Sequence, residues 1–217
     1  MSLSTTPAPA RTDTAATARG GAPASVPVAT RTVRRAGIAV ATGSLAWAAA
    51  TLAFGIDSAT AWQDLVYELT ALLFQLGLVA LVAVQLRTGA TGTGRLARFF
   101  LHLEHALLGL AMLSTLSSAF LPQYAEEGWY LALDVFWPLS MVGMFFIGIR
   151  IAIAGRWTGA ARWWPMVAES WAPVNIPVAQ IAPELMAYTA GGHLLVGYVA
   201  LGVVLATRPE LTGARDH

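Results

Sequence analysis

Apolar residues in this chain fall into five long stretches separated by short polar breaks. They span about 36–56, 62–86, 96–120, 129–149 (with room to continue to 154) and 185–207. Each reaches the roughly 20 residues a helix needs to cross about 30 Å of hydrocarbon. The pattern predicts an all-α fold: a polytopic transmembrane helix bundle of about five spans over residues 36–207. Residues 1–35 are rich in Ala, Thr, Pro and Ser without apolar periodicity, which predicts a disordered tail. Residues 208–217 form a short C-terminal tail.

The stretch 155–184 has a different pattern. It holds Pro165, Pro173, Pro177 and Pro183 together with Trp157, Trp163, Trp164 and Trp171. Trp163, Val167 and Trp171 recur every four residues, opposite Arg162 and Glu169. This spacing predicts a short amphipathic helix at the membrane interface before the last span, followed by a Pro-broken apolar segment. A re-entrant loop is the alternative, and it requires its backbone groups to be covered by protein or water. Small residues at helical spacing, Gly37/Ala41 in the first span and Ala187/Gly191 in the last, allow close helix approach in lipid.

Composition supports the membrane reading. Only 12% of the 217 residues are charged and the mean hydropathy is +0.60, against about 25% charged in a soluble domain. The net charge of +1 offers no basic surface for nucleic acid. With no cysteine, disulfides, thiolate metal sites and cysteine nucleophiles are excluded. Every basic residue other than histidine is Arg.

The arginines alternate between loops. Arg11, Arg19, Arg31, Arg34 and Arg35 precede the first span. Arg87, Arg95 and Arg98 lie between the second and third, and Arg150, Arg156 and Arg162 follow the fourth. The connections between them carry Asp57, or Glu126 and Glu127, and no Arg. The positive-inside rule then places the N-terminus in the cytoplasm of an inner-membrane protein. Five crossings place the C-terminus outside, although Arg208 and Arg215 run against that. Arg34-Arg35 before an apolar run also has the outline of a twin-arginine signal. The spans that follow favour a basic anchor instead.

Few residues could carry chemistry. The third span opens Arg98-Phe-Phe-Leu-His102-Leu-Glu104-His105, with His102 and His105 on one helical face. The fifth span also begins near the cytoplasmic face, with His193 about two turns in, so the three histidines can share one depth. Three imidazoles at one level suggest a divalent-metal site or axial ligands to a haem iron. Met112, Met141 and Met144 would be soft ligands at other depths. Glu104 projects about 100° from His105 and fits a supporting partner or a contact with another helix. The second span carries Asp64, Glu68 and Gln75 on one face, and the fourth carries Asp134 near its outer end. Glu68 and Asp134 can therefore meet in the outer leaflet and, with Glu104 and the histidines, outline a proton or substrate path. The bland alternatives are interhelical hydrogen bonds for the histidines and solvated helix ends for the acids.

Ser114, Ser117 and Ser118 lie nine or more residues from the histidines of their span. At 1.5 Å per residue that is about 13 Å, too far for a serine–histidine pair. The run Thr88–Gly94 lacks the lysine and strand of a phosphate loop and reads as a linker.

The Pro/Thr/Ala tail, the Arg34-Arg35 entry and the Arg162-Trp-Trp-Pro165 turn before a Gly-rich last span resemble small polytopic membrane proteins of high-GC bacteria. That resemblance implies a bacterial inner membrane and brings no activity with it. Three readings stand open. The first is a non-enzymatic bundle or accessory subunit in the lipid bilayer, alone, as a homo-oligomer or with other membrane subunits. The second is a haem- or metal-binding protein using His102, His105 and His193. The third is a small proton-coupled permease using Glu68, Asp134 and the histidines.

Overall fold

The computed structural model describes residues 28–56 and 60–216. Residues 1–27 of the tail expected over 1–35, and Asp57 in the first connection, lie outside them. Among the described residues almost everything is helix. The single β-bridge joins Ala29 to Arg215.

Three uninterrupted helices come first: α1 (Thr30–Phe54), α2 (Ala61–Thr88) and α3 (Arg95–Phe120). Helix α1 starts earlier than expected, so Arg31, Arg34 and Arg35 sit on its first turns rather than in a tail. The fourth span is α4 (Gly128–Asp134) followed by α5 (Phe136–Ala154). Next come two short helices, α6 (Gly159–Ala168) and α7 (Trp171–Ile181). The last span is α8 (Met186–His193), a π-helical stretch over Leu194–Val199, and α9 (Ala200–Thr207). Five of these units are long and apolar enough to cross a membrane: α1, α2, α3, α4–α5 and Pro183–Thr207. This is the bundle predicted from the apolar runs, with the architecture of a multi-pass membrane protein. Large apolar side chains such as Leu73, Leu76, Phe146, Ile153 and Val196 are exposed around it, where lipid would cover them.

Proline sets two of the breaks. Pro138 has no N–H for the Asp134 carbonyl and its ring crowds that oxygen, so α4 ends at Asp134 and α5 starts afresh. Pro173 does the same to Glu169, between α6 and α7. Glycine sets two of the ends: Gly89 (φ 63°) and Gly155 (φ 61°) take the left-handed conformation that closes α2 and α5.

After α5 the chain takes a course that the five apolar runs do not describe. Helix α5 ends on the face where α2 ends, since Trp157 Nε1 donates to Thr88 Oγ1 at 3.0 Å. The C-terminal turn lies there too, with Thr158 N donating to Leu211 O at 2.9 Å. The last span runs antiparallel to α1: Gly191 packs on Leu52 at one end, and Gly202 against Gly37 and Ala41 at the other. The start of that span is therefore at the opposite end of the bundle from Ala154. Residues 159–181 carry the chain across between them, as α6 then α7. Ala161, Ala168, Glu169, Trp171, Ala172 and Asn175 are buried, so one face of this segment packs against the bundle, while Trp163, Val174, Ile176 and Ile181 are exposed on the other. Its prolines divide it into helices of 10 and 11 residues, and so no single long apolar helix marks it.

Beside the five units able to span a membrane, the chain runs the length of the bundle once more through the short helices α6 and α7, and the two ends of the described chain, at Val28 and Asp216, lie on one face. Arg215 N donates to Val28 O at 3.0 Å, and Arg34 Nε to Ala206 O at 3.2 Å. Five crossings alone would part these two described ends. Arg208 and Arg215 thus join the other described arginines on a single basic face.

The core lies between α1, α2 and the last span. Close approach comes from glycine: a Cβ on Gly37 would meet Gly202 O at 2.6 Å, and one on Gly77 would meet Ala39 O at 2.9 Å. Phe74, Leu78, Leu81, Trp157 and Tyr198 fill the remaining interior.

Candidate functional site

A cavity of about 220 Å³ opens toward the end of the bundle opposite the basic face. Residues of α1, α2, α3, α4, α5, α7 and the last span line it. Glu68 comes from α2. It is within reach of the charges of Asp134 and Asp64, and both Glu68 and Asp134 line the cavity. Asp64 is exposed and outside the lining. Asp134 owes its position to Pro138, which ends α4 there. Ser114 Oγ lies 3.4 Å from Asp134 Oδ1, a long contact for a hydroxyl–carboxylate pair. Two turns below Glu68 on α2, Gln75 is buried and its Nε2 donates to Thr115 Oγ1 at 2.8 Å. Tyr130 OH donates to Ser118 Oγ at 2.9 Å near the rim. No arginine or histidine is among the lining residues.

The inner end of the cavity is aromatic. Trp47 stacks on Phe74 at 5.0 Å between ring centroids and meets Tyr67 and Trp137 edge-on at 5.9 and 5.8 Å. Trp171 packs on Trp47 at 6.3 Å and edge-on to Trp137 at 5.0 Å. These rings come from α1, α2, α5 and α7, so the broken crossing supplies part of the wall. Trp137 directly precedes Pro138, and Trp171 is two residues before Pro173. The two prolines thus fix both an acid and a tryptophan at each break.

Deeper in the bundle lie two more carboxyl groups. Ser140 Oγ donates to Glu104 Oε1 at 2.5 Å, joining α5 to α3. Gly143 makes room for that carboxyl, since a Cβ there would collide with Oε2. Glu169, at the break after α6, accepts from Gln85 Nε2 at 2.9 Å, and its Oε2 lies against Gly148. Glu169 is within reach of the charge of Glu104, and Tyr198 is within reach of both. Burial of such groups in hydrocarbon is tolerated when they face the bundle interior and are paired; each of these carboxyls has one oxygen hydrogen-bonded, while Glu169 Oε2 is buried without a hydrogen-bond partner among the described residues.

The histidines are placed differently from the sequence expectation. His102 is exposed, and His105 Nδ1 donates to Leu101 O of its own helix at 2.9 Å. His193 Nε2 donates to Val167 O and Ala168 O, at 3.0 and 3.3 Å. It thus caps the end of α6, where Val167 O also accepts from Ser170 Oγ at 2.7 Å. Helix α3 packs on α2 and α5, whereas α8 packs on α1 and α7, so His193 does not join His102 and His105. The proposed convergence fails because the last span descends from the opposite face and is separated from α3 by other helices. Among the described residues no three His, Asp or Glu side chains are grouped to hold a metal ion.

Glu169, Trp171, Trp137, Gln85 and Ser140 were not singled out from the sequence for this region. The signal available was an acid four residues before a proline with a tryptophan between: Asp134-Val-Phe-Trp-Pro138 and Glu169-Ser-Trp-Ala-Pro173. No protein-family model, curated protein or solved structure matches the chain.

Proposed function

We propose that this chain is a small membrane permease that takes a solute into the acid- and aromatic-lined cavity and moves protons by way of the deeper carboxyls. The observation that carries this reading is that Glu68 and Asp134, from separate helices, line one cavity. By the positive-inside rule the basic face is cytoplasmic, so the cavity opens to the outside. The broken course of α6 and α7 supports the reading: discontinuous helices with buried polar groups are a recurring feature of transporter binding sites. A volume near 220 Å³ is below the range of about 300–1,000 Å³ typical of drug-sized ligand pockets and suits a small solute. Glu68 and Asp134 supply the charge that holds the solute. Glu104 and Glu169 are the proton carriers, with Ser140 and Gln85 as their hydrogen-bond partners.

The test is solute-driven proton movement in liposomes holding the purified full chain and a trapped pH-sensitive dye. Cationic, neutral and anionic solutes are added in turn. One class is expected to drive proton movement, and Glu104→Gln and Glu169→Gln to abolish it without abolishing solute binding. If no solute moves protons in the folded wild-type protein, the permease reading fails and a bundle or accessory role remains.

A further inference from the structure

The cavity is lined by two carboxylates and four aromatic residues, Trp47, Tyr67, Trp137 and Trp171, with no basic side chain among them. Two acids within reach of each other's charge repel, and a cation between them removes that cost. Aromatic faces also attract cations, most strongly where water is excluded. Trp47 and Trp171 are 3% and 6% exposed. Among the described residues their indole N–H groups have no acceptor.

A bare metal ion fits this lining poorly. A hard divalent cation takes about six or more oxygen ligands at 2.0–2.6 Å, and no metal-holding group of three acids or histidines exists among the described residues. The space is also larger than an ion needs: at about 30 Å³ per water in the liquid, it holds several solvent-sized units. A quaternary or alkylated ammonium fills it better, with its diffuse charge shared between carboxylates and ring faces.

We infer that the solute is a small organic ammonium ion, of choline size, held by Glu68 and Asp134 against Trp137 and Trp171. This inference rests on the permease reading for the direction of entry but not for binding itself.

The experiment is calorimetric titration of the detergent-purified full chain with choline and, separately, with its neutral isostere 3,3-dimethylbutan-1-ol. The pair has nearly the same shape and differs in charge. Choline is expected to bind at least about ten-fold more tightly than the isostere, and Glu68→Gln with Asp134→Asn to remove the difference. Equal binding of the two, or binding of neither, would overturn the inference, and neither result depends on a variant folding. Trp137→Leu is expected to weaken choline by about ten-fold, with Trp137→Phe restoring part of the loss. Choline binding without transport would leave this inference standing and sink the permease reading. Proton-coupled transport of an uncharged solute would do the reverse.

Discussion

Gln85 Nε2 donates to Glu169 Oε1 at 2.9 Å, and this contact ties α2 to the break between α6 and α7. Glu169 is there because Pro173 removes the hydrogen bond that its carbonyl would otherwise accept. The pair is fully buried, so removing one partner leaves the other without compensation. Gln85→Leu is expected to lower stability by about 1–3 kcal/mol. Glu169→Gln keeps a polar partner and should cost less. Thermal unfolding of the two variants in the same detergent gives the comparison, and equal losses would mean the hydrogen bond is not what holds the break.

His193 has a structural role in this account. Its Nε2 donates to the carbonyls of Val167 and Ala168, and Gly197 lets α6 approach, since a Cβ there would meet Ala168 Cα at 2.9 Å. His193→Ala should speed amide hydrogen exchange around the α6–α7 break, with a stability loss of about 1 kcal/mol. His102→Ala, at an exposed position, should change neither. Matching effects from the two variants would revive a shared role for the histidines.

The approach of α1 and α9 depends on Gly37 and Gly202, which pack backbone to backbone. Gly202→Val is expected to cost about 1–3 kcal/mol by overpacking, read as a lower unfolding temperature and a lower yield of monodisperse protein. Gly109→Val, where a side chain would meet open space, is the control and should stay within about 0.5–1 kcal/mol of the parent, since it removes a mid-helix glycine.

The meeting of Ala29 with Arg215 predicts a topology. Fusions of a fluorescent protein at either terminus should both fluoresce, and an alkaline phosphatase at the C-terminus should be inactive in a bacterial host. An active C-terminal phosphatase would restore five passages and contradict the bridge between Ala29 and Arg215.

These features were unequally legible in the sequence. The five apolar units could be read because hydropathy over about 20 residues is a strong, local signal. The course of α6 and α7 along the bundle was not, because Pro165, Pro173 and Pro177 divide it into short helices. Missing it reversed the direction of the last span, and with it the inferred depth of His193. Arg208 and Arg215 were the contrary sign: they fit the basic face only with an even number of passages. The approach of Glu68 to Asp134 was readable from helix faces and depth alone. The aromatic wall was not, because its rings come from helices far apart in sequence.

The central claim is that Glu68, Asp134 and the tryptophans line a solute cavity entered from outside. The chain has no cysteine, so a single Ser118→Cys change places one thiol at its lining. Its reaction rate with a membrane-impermeant thiol reagent, added to intact cells with and without choline, is the most direct measurement. The account predicts labelling from outside that choline slows and 3,3-dimethylbutan-1-ol does not. Labelling only after the cytoplasmic side is exposed, or at a rate that no solute changes, would contradict it.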